Sequence, residues 1–459
     1  MKRIRLGAES DRRGVSAEKN AEYAKRLAKM INCKTVWTKN GENRGEFERF
    51  YGILEELFPN IVAKAKKLTF GEGCFFYIIE GKNAKKNILL MSHHDVVDGG
   101  EGWDTDPFLA TEKNGYLYGR GTIDTKTPLF AELTACEELL AEGHELCGIN
   151  LYIGSSDNEE VSGDGMLLAA EYFKESGIRF DVVLDEGGAI TEGQIPGVKR
   201  KSAVVAVHEK SRHYYRCFMS SEQEGHGGFG KARDSAAVNI ARFITEVSDA
   251  KIYKGRFYPE VKATFRRHVP YMSFPMNFLF GNIGIFSPLI KKIMMGIPAA
   301  SAMLSTGISF PSAAAVDTDN KKFRAKTGEC IMFLRCVRED DLYLGLEKIK
   351  LIGKKYGIEI EEIERDFCDP TDFRGEAFGA VESLLHENFP DVIVAPFLLT
   401  AGTDARRLTD VSENILRFAP IDLNKKQFAS IHGANEHIAI KNIGECVAFY
   451  KDFIIKMTK

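Results

Sequence analysis

Two adjacent acidic residues, Glu159 and Glu160, stand where an α/β protein can do chemistry. They follow the apolar residues 149–153, which predict a buried strand, and precede residues 165–176, which predict a helix. Ligands in α/β folds bind at the carboxyl ends of such strands. Adjacent carboxylates repel one another unless a positive charge lies close by. The pair alone therefore leaves two interpretations open: a metal site, or a solvated turn in which the side chains point apart.

Further nitrogen and oxygen donors follow other predicted strands. They are His93 and Asp95 after residues 87–91, Asp124 after residues 115–118, Asp185 and Glu186 after residues 182–184, and the distant His432. Each one alone is more readily structural, but their coincidence at one end of one sheet is hard to explain without a metal. Asp95, two residues beyond His93 on the same face of a pleated strand, can accept the second N–H of that imidazole and fix its tautomer.

The donor types indicate which metal the site would hold. Nitrogen and oxygen donors without thiolate suit zinc, or less specifically cobalt or manganese, and disfavour iron–sulfur or structural zinc sites. The donors outnumber what one tetrahedral ion uses, which favours two ions about 3.5–4 Å apart that share a bridging carboxylate. The predicted cofactor is therefore a pair of zinc ions.

The elements that position these donors predict an α/β fold. Strands alternate with helices over residues 74–184, which indicates a mostly parallel sheet with helices on both faces. A β-α-β-α-β series between about residues 209 and 364 predicts a smaller inserted α+β unit, and the first pattern returns in helix 375–388, strand 392–399 and helix 444–456. We therefore predict a catalytic domain built from residues 1–208 and 365–459 around an inserted domain, 209–364.

Composition limits the partners and the compartment. A net charge of −3 over 459 residues offers no footprint for nucleic acid or an anionic membrane surface, so neither partner is expected. Nine cysteines without a C-x-x-C pair fit a reducing compartment, and the first residues contain no apolar signal region, so we expect a cytoplasmic protein. Residues 271–304 are apolar but interrupted by prolines and Lys291-Lys292, which predicts a packed or partner-facing segment.

The motifs resemble those of the co-catalytic zinc peptidase family that includes aminoacylase, acetylornithine deacetylase, glutamate carboxypeptidase and carboxypeptidase S. Residues 93–97 resemble its His-x-Asp-Val-Val, residues 119–126 its Gly-Arg-Gly-x-x-Asp-x-Lys, and residues 158–163 its Asp-Glu-Glu-x-x-Gly. Residues 402–406, 417–420 and 432–436 are similar to the carboxypeptidase S-like branch, whose members include Gly-Xaa carboxypeptidase-like proteins. Asn158 replaces the family's aspartate and Thr127 its glycine, and neither change removes a proposed ligand.

The resemblance implies a ligand set and a cis peptide. His93 would bind one zinc and Asp124 would bridge both ions. Glu160 and His432 would complete the other site. The remaining ligand would be Glu186 by spacing, with Asp185 left open, and the bond after Asp124 would be cis.

The resemblance also implies catalytic roles. Glu159 would be the general base, with Asp95 supporting His93. His226, in residues 224–228, would donate to the oxyanion from the inserted lid/dimerisation domain, often across a homodimer. Since arginine forks match carboxylates, Arg406 is the first candidate to hold a substrate α-carboxylate and Arg335 the second.

The predicted reaction is hydrolysis of an amide bond adjacent to a free carboxylate. The small-molecule substrate would be a dipeptide, a peptide carboxyl terminus or an N-acyl amino acid. One alternative is a narrow N-acyl amino acid deacylase, and another is a non-catalytic binding protein that retains the fold. A two-metal phosphoesterase is also chemically possible, but nothing in the sequence resembles the basic phosphate clamps that such an enzyme needs.

Overall fold

The computed structural model describes residues 14–193, 195, 197–220, 235–316 and 327–458. The first part of the chain forms helices α1 (Ala17–Ile31), α2 (Arg44–Leu57), α3 (Pro59–Lys64), α4 (Lys126–Ala141) and α5 (Gly165–Glu175). Its strands are β1 (Lys66–Phe70), β2 (Cys74–Ile79), β3 (Lys82–Met91), β4 (Thr111–Lys113), β5 (Tyr116–Tyr118), β6 (Cys147–Ser155), β7 (Val182–Asp185), β8 (Ile190–Thr191) and β9 (Ser202–Glu209).

The middle and last parts continue the numbering. The middle part forms β10 (Ser211–Ser220), α6 (Ala236–Asp249), α7 (Pro259–His268), α8 (Met276–Gly281), α9 (Ile283–Met294), α10 (Pro298–Ala302), β11 (Gly307–Val316), β12 (Thr327–Cys336), α11 (Glu339–Lys355) and β13 (Glu359–Asp366). The last part forms α12 (Glu376–Asn388), β14 (Ile393–Leu399), β15 (Ile415–Arg417), β16 (Asp422–Leu423), α13 (Lys425–Ser430), β17 (His437–Ala439) and α14 (Ile440–Met457).

A ten-stranded sheet organises both ends of the chain. Its order is β1-β2-β6-β3-β7-β15-β9-β8-β16, with β14 beside β9. Strand β3 runs parallel to both β6 and β7, β15 runs parallel to β7, and β14 runs parallel to β9. The antiparallel pairs include β1 with β2 and β2 with β6. The predicted α/β class with a mostly parallel sheet is confirmed.

Helices cover both faces of this sheet. Along β2, the side chains of Phe75 and Tyr77 enter one buried cluster, while those of Phe76 and Ile78 enter another. Successive side chains of a strand point to opposite faces, so a strand that is apolar throughout needs cover on both. Helices α4 and α14 pack in the first cluster and α5 in the second.

The middle of the chain forms a separate antiparallel sheet. Its order is β11-β12-β10-β13, and helices α6 and α11 share a buried cluster with it. These elements come from residues 211–366. The division of the chain into domains at residues 208/209 and 364/365 stays a prediction.

Several elements were not predicted from the sequence. They include strands β1, β9 and β11, and helices α7 to α10 between residues 259 and 302, which overlap the predicted apolar segment 271–304. Pro288 lies inside α9. Because prolines usually interrupt helices, the sequence did not predict a helix there. Among the helices in the described residues, none combines the length and the apolar character needed to cross a bilayer.

Candidate metal centre

Five chain segments bring the predicted donors together at one edge of the main sheet. Because β6, β3 and β7 are parallel neighbours, the residues after them share that edge: Glu159 and Glu160 after β6, His93 after β3, and Glu186 after β7. The other two segments arrive through a small three-stranded sheet in which β17 pairs with β5. Asp124 follows β5 and His432 precedes β17, so this pairing brings the two side chains into the same site.

His93, Asp124 and Glu160 offer ligand atoms that all lie within 4.8 Å of one another. The Nε2 atom of His93 is 3.1 Å from Oδ1 of Asp124. The Nε2 atom of His432 is 3.0 Å from the other Asp124 oxygen and 3.2 Å from Oε2 of Glu160. Asp124 therefore stands between two imidazoles and presents one oxygen to each, which is the arrangement expected of a bridging carboxylate.

The charges and hydrogen bonds of these four side chains favour binding of a cation between them. Hydrogen bonds to Asp124 and then to Glu160 raise the pKa of His432 to about 10. Burial alone would lower the pKa of His93, but hydrogen bonds to Asp124 and Asp95 raise it well above its ordinary value. Oε1 of Glu160 is buried and has no hydrogen-bond partner among the described residues. An unpartnered carboxylate oxygen in a cluster of N and O donors fits a divalent metal such as zinc.

Asp95 connects the His93 segment to the glutamate pair. Nδ1 of His93 is 3.0 Å from the carbonyl oxygen of Asp95 and 3.3 Å from its Oδ1 atom. The two carboxylate oxygens of Asp95 accept hydrogen bonds from the backbone N–H groups of Glu159 and Glu160, at 3.1 and 3.0 Å. One buried side chain thus orients the imidazole and holds the loop that carries both glutamates. Since β3 ends at Met91, this pairing forms in a loop rather than on a pleated strand.

The two glutamates have different surroundings. Glu160 contacts His432 and belongs to the ligand cluster, whereas the carboxylate of Glu159 is not part of that cluster of described residues. Burial, reinforced by Asp404 and Asp95, raises the pKa of Glu159 well above its ordinary value, although His93 opposes the shift. The roles predicted for the pair are chemically distinct, and their environments are distinct too.

Glu186 and Asp185 also have different surroundings in the structure. The side chain of Asp185 is buried, and its Oδ2 atom accepts a hydrogen bond from the backbone N–H of Ala405 at 3.2 Å. Glu186 lies beyond the end of β7; burial raises its pKa well above its ordinary value, Asp185 and Asp124 reinforce the shift, and His93 opposes it. Glu186 lies outside the cluster of three described ligand residues. The choice of Glu186 over Asp185 as the remaining ligand stays a prediction.

The arginine predicted first for substrate binding is enclosed by protein. Arg406 is 2% exposed, its Nε donates to Asp366 at 2.7 Å, and its Nη1 donates to the carbonyl of Thr403. A buried guanidinium that already has a carboxylate partner is poorly placed to take a second one from a ligand. The role of Arg406 in binding substrate stays a prediction, but the geometry favours a structural ion pair.

Arg335, the second candidate, has a cationic neighbour that the sequence did not reveal. Arg335 is half-buried on β12 and faces Arg212 on β10 as its cross-strand partner. Arg212 donates to the hydroxyl of Ser162, in the loop that carries Glu159, and its buried Nε atom has no partner in the part of the chain that the structure describes. Burial and the charge of Arg212 lower the pKa of Arg335. Two like charges side by side are stabilised by an anion between them.

Glu436 is another residue whose role the sequence did not reveal, although it belongs to the motif at residues 432–436. It is fully buried and accepts hydrogen bonds from the backbone N–H groups of Gly121, Ile123 and Asp124 at 3.2, 2.7 and 3.1 Å. Its carboxylate also pairs with Arg120 at 2.8 Å. Glu436 therefore fixes the turn that presents Asp124. Only the β5–β17 pairing, distant in sequence, could have revealed this contact.

We expect Glu436→Gln to destabilise the fold by about 3 kcal/mol, because the change leaves Arg120 buried without its partner. The side-chain nitrogen of the new glutamine would also face backbone N–H groups, and it cannot accept hydrogen bonds from them. Chemical denaturation measures the loss. The matched control is Glu413→Gln, which alters a side chain that is 89% exposed and should change stability by less than about 0.5 kcal/mol. Equal effects of the two changes would contradict this role for Glu436.

The other sequence predictions have separate outcomes. The peptide bond between Asp124 and Thr125 is cis, as predicted. His94, next to His93, lies outside the cluster and stacks on Phe50 at 5.0 Å between ring centroids. His226 lies outside the described residues, so its oxyanion role stays a prediction.

Comparisons with known proteins agree with the resemblance. The family model described as peptidase family M20/M25/M40 matches residues 89–456. The chain is 26% identical over 450 residues to an N-fatty-acyl-amino acid synthase/hydrolase of Danio rerio, covering 95% of this chain and 86% of that protein. It is 27% identical over 446 residues to a probable carboxypeptidase S-like protein of Dictyostelium discoideum, covering 94% and 84%. An M20 family metallo-carboxypeptidase from Sulfolobus solfataricus shares the fold, with a TM-score of 0.67 at 16% identity, covering 95% of this chain and 99% of that one.

Proposed function

The chain belongs to peptidase family M20/M25/M40, and from that premise we propose that it is a two-zinc hydrolase that cleaves an amide bond next to a free carboxylate. One observation carries the proposal. His93, Asp124, Glu160 and His432 converge, while the adjacent Glu159 stays outside the ligand cluster. A ligand set with a carboxylate beside it provides what metal-assisted hydrolysis needs.

Each residue of the centre has a proposed task. His93, Asp124, Glu160, Glu186 and His432 would hold the ions, with Asp124 between them. Bound divalent ions lower the pKa of water towards neutrality, so hydroxide becomes available at physiological pH. Glu159 would take the proton from water and pass it to the leaving nitrogen. Asp95 would keep His93 and the Glu159 loop in register through the hydrogen bonds described above.

The free carboxylate of the substrate is assigned to Arg335 together with Arg212. Their guanidinium groups lie on neighbouring strands, and Arg212 reaches the loop of Glu159 through Ser162. Neither is held by an ion pair to a carboxylate among the described residues, in contrast to Arg406 and Asp366. An anion next to the catalytic loop would relieve the repulsion between the two arginines.

Two classes of relative support two classes of substrate. The Danio rerio protein is named for N-fatty-acyl-amino acids and the Dictyostelium discoideum protein for carboxypeptidase S. We therefore propose either an N-acyl amino acid or a peptide with a free carboxyl terminus, including a dipeptide. A narrow N-acyl amino acid deacylase is the second candidate, favoured by the first of these names.

A panel of dipeptides and N-acyl amino acids, each paired with its carboxyl-amidated counterpart, tests the proposal. We expect hydrolysis of free acids and at least about a tenfold loss of kcat/KM for the amides, because they lack the charge that the arginines would bind. Equal rates on acids and amides would rule out the carboxylate requirement. Metal-loaded protein that hydrolyses no member of the panel would contradict the enzyme as proposed.

Assembly and location belong to the proposal as well. We propose a cytoplasmic homodimer formed through the inserted domain, with His226 acting across the interface. Chains carrying His226→Ala and Glu159→Gln can be mixed and tested in the same assay. Recovery of activity in the mixture supports a role across subunits, and no recovery counts against it.

A further inference from the structure

Helices α8 and α9, with the residues beside them, expose a concentration of large apolar side chains. Of the eighteen large apolar side chains exposed in the described part of the chain, eight lie between residues 271 and 297. They are Tyr271, Phe274, Phe278, Ile285, Leu289, Ile293, Met295 and Ile297, and we name them the apolar face. A large exposed apolar patch marks a site of interaction with another surface.

Helix α9 shows that this exposure is not an extension of the core. Its residues Ile283, Ile290 and Met294 are buried in a cluster with α7 and α8. Its residues Ile285, Leu289 and Ile293 are 76%, 49% and 55% exposed. The exposed residues are spaced four apart and form one stripe along the helix. The helix is therefore apolar on two sides, and the described part of the chain covers only one of them.

The segment that carries the apolar face has charged side chains of one sign only. Residues 261–316 contain no Asp or Glu, although the chain as a whole has 65, and they contain five Lys or Arg. Arg267 is neutralised by an ion pair with Glu382 of α12. Lys291 and Lys292 lie on α9 itself, and Lys292 follows Leu289 by three residues, which places it beside the exposed stripe. An apolar stripe edged by lysine complements an anionic surface with an apolar interior.

We infer that the apolar face docks onto the headgroup region of an anionic lipid bilayer. Helix α9 has 12 residues, fewer than the roughly 20 that a span needs, so it would lie in the plane of the interface. Aliphatic and phenylalanine side chains would enter the acyl boundary while the lysines contact the headgroups. The expectation of no membrane partner rested on the net charge of the whole chain, which conceals this local asymmetry.

Other occupants fit the surface less well. A two-fold dimer would place this acid-free segment against its own copy and bring the lysines of α9 together. Protein-binding hot spots are rich in Trp, Tyr and Arg, whereas the apolar face is mainly Ile, Leu, Phe and Met. The inference goes beyond the proposed hydrolase and does not depend on it.

Co-sedimentation with vesicles tests the inference. The probes are vesicles of phosphatidylcholine alone and vesicles with an equal share of phosphatidylserine. The full chain is compared with the double variant Ile285→Ser/Ile293→Ser and with a control, Leu344→Ser/Leu351→Ser. The control removes two side chains on α11 that are 70% and 68% exposed, so it matches the change in exposed apolar area. Thermal unfolding and hydrolysis of a soluble substrate show that each variant is folded, independently of vesicle binding.

We expect wild type and control to sediment with the anionic vesicles and the α9 variant to partition at least about tenfold less. Added salt should weaken the binding, since part of it comes from Lys291 and Lys292. Wild type that stays in the supernatant would overturn the inference, as would equal binding by all three proteins or equal loss in both variants. A wild-type dimer that the α9 variant dissociates, without vesicle binding, would assign the apolar face to a second copy.

Discussion

Glu159→Gln is expected to lower kcat at least about a thousandfold while the metal content and the stability of the fold stay unchanged. Glutamine has the shape of glutamate but cannot accept a proton from water. The backbone N–H of residue 159 donates to Asp95, so the loop keeps its position whichever side chain it carries. The proposed ligands His93, Asp124, Glu160 and His432 are unchanged in this variant, so the metal should remain. Steady-state hydrolysis of the best substrate in the panel measures the effect.

The neighbouring change, Glu160→Gln, is the matched control because it alters an identical side chain one residue away. Glu160 contacts His432 and has a buried oxygen that no described residue bonds, so loss of this carboxylate should release metal. Excess zinc should partly restore the activity of Glu160→Gln and leave Glu159→Gln inactive. Rescue of both variants by zinc would show that Glu159 is a ligand and would contradict the separate roles.

Asp124→Asn is expected to remove at least one metal ion and most of the activity. Its two oxygens lie 3.1 Å from the Nε2 atom of His93 and 3.0 Å from that of His432, so one carboxylate serves both halves of the centre. Asparagine keeps the shape but loses the charge and one acceptor oxygen. Because ligand loss costs metal affinity directly, the bound zinc should fall well below that of wild type. Metal analysis after dialysis, together with turnover, measures both effects.

The control for this variant is Asp391→Asn, which changes a carboxylate that is 76% exposed and far along the chain. It should keep both metal and activity. Denaturation in the presence of a chelator separates metal loss from misfolding, since Asp124→Asn and wild type should then unfold at similar denaturant concentrations. A variant that unfolds much earlier than metal-free wild type would assign Asp124 a mainly structural role.

Donors placed directly after parallel strands could be predicted from the sequence. His93, Glu160 and Glu186 follow three strands that prove to be neighbours, and a buried apolar strand with a polar end is visible in a single sequence. The choice of Glu186 over Asp185 rested on spacing and stays a prediction, although Asp185 accepts a hydrogen bond from the backbone N–H of Ala405. Local sequence sufficed here because the parallel sheet itself brings the strand ends together.

Residues that act through distant contacts could not be predicted. The buried partner of Arg406 is Asp366, forty positions earlier at the end of β13, and no local pattern connects them. Arg212 faces Arg335 only because β10 pairs with β12, and Glu436 reaches the Asp124 turn only because β17 pairs with β5. Each case depends on a strand register, which a propensity or a motif does not contain.

The number of zinc ions bound by Glu159→Gln and by Glu160→Gln, measured beside wild type with the turnover of each, tests the central claim most directly. We assign proton transfer to Glu159 and metal binding to Glu160. We predict two ions and no appreciable turnover for Glu159→Gln, and fewer ions for Glu160→Gln. Loss of metal from Glu159→Gln, or turnover by that variant at the wild-type rate, would contradict the claim.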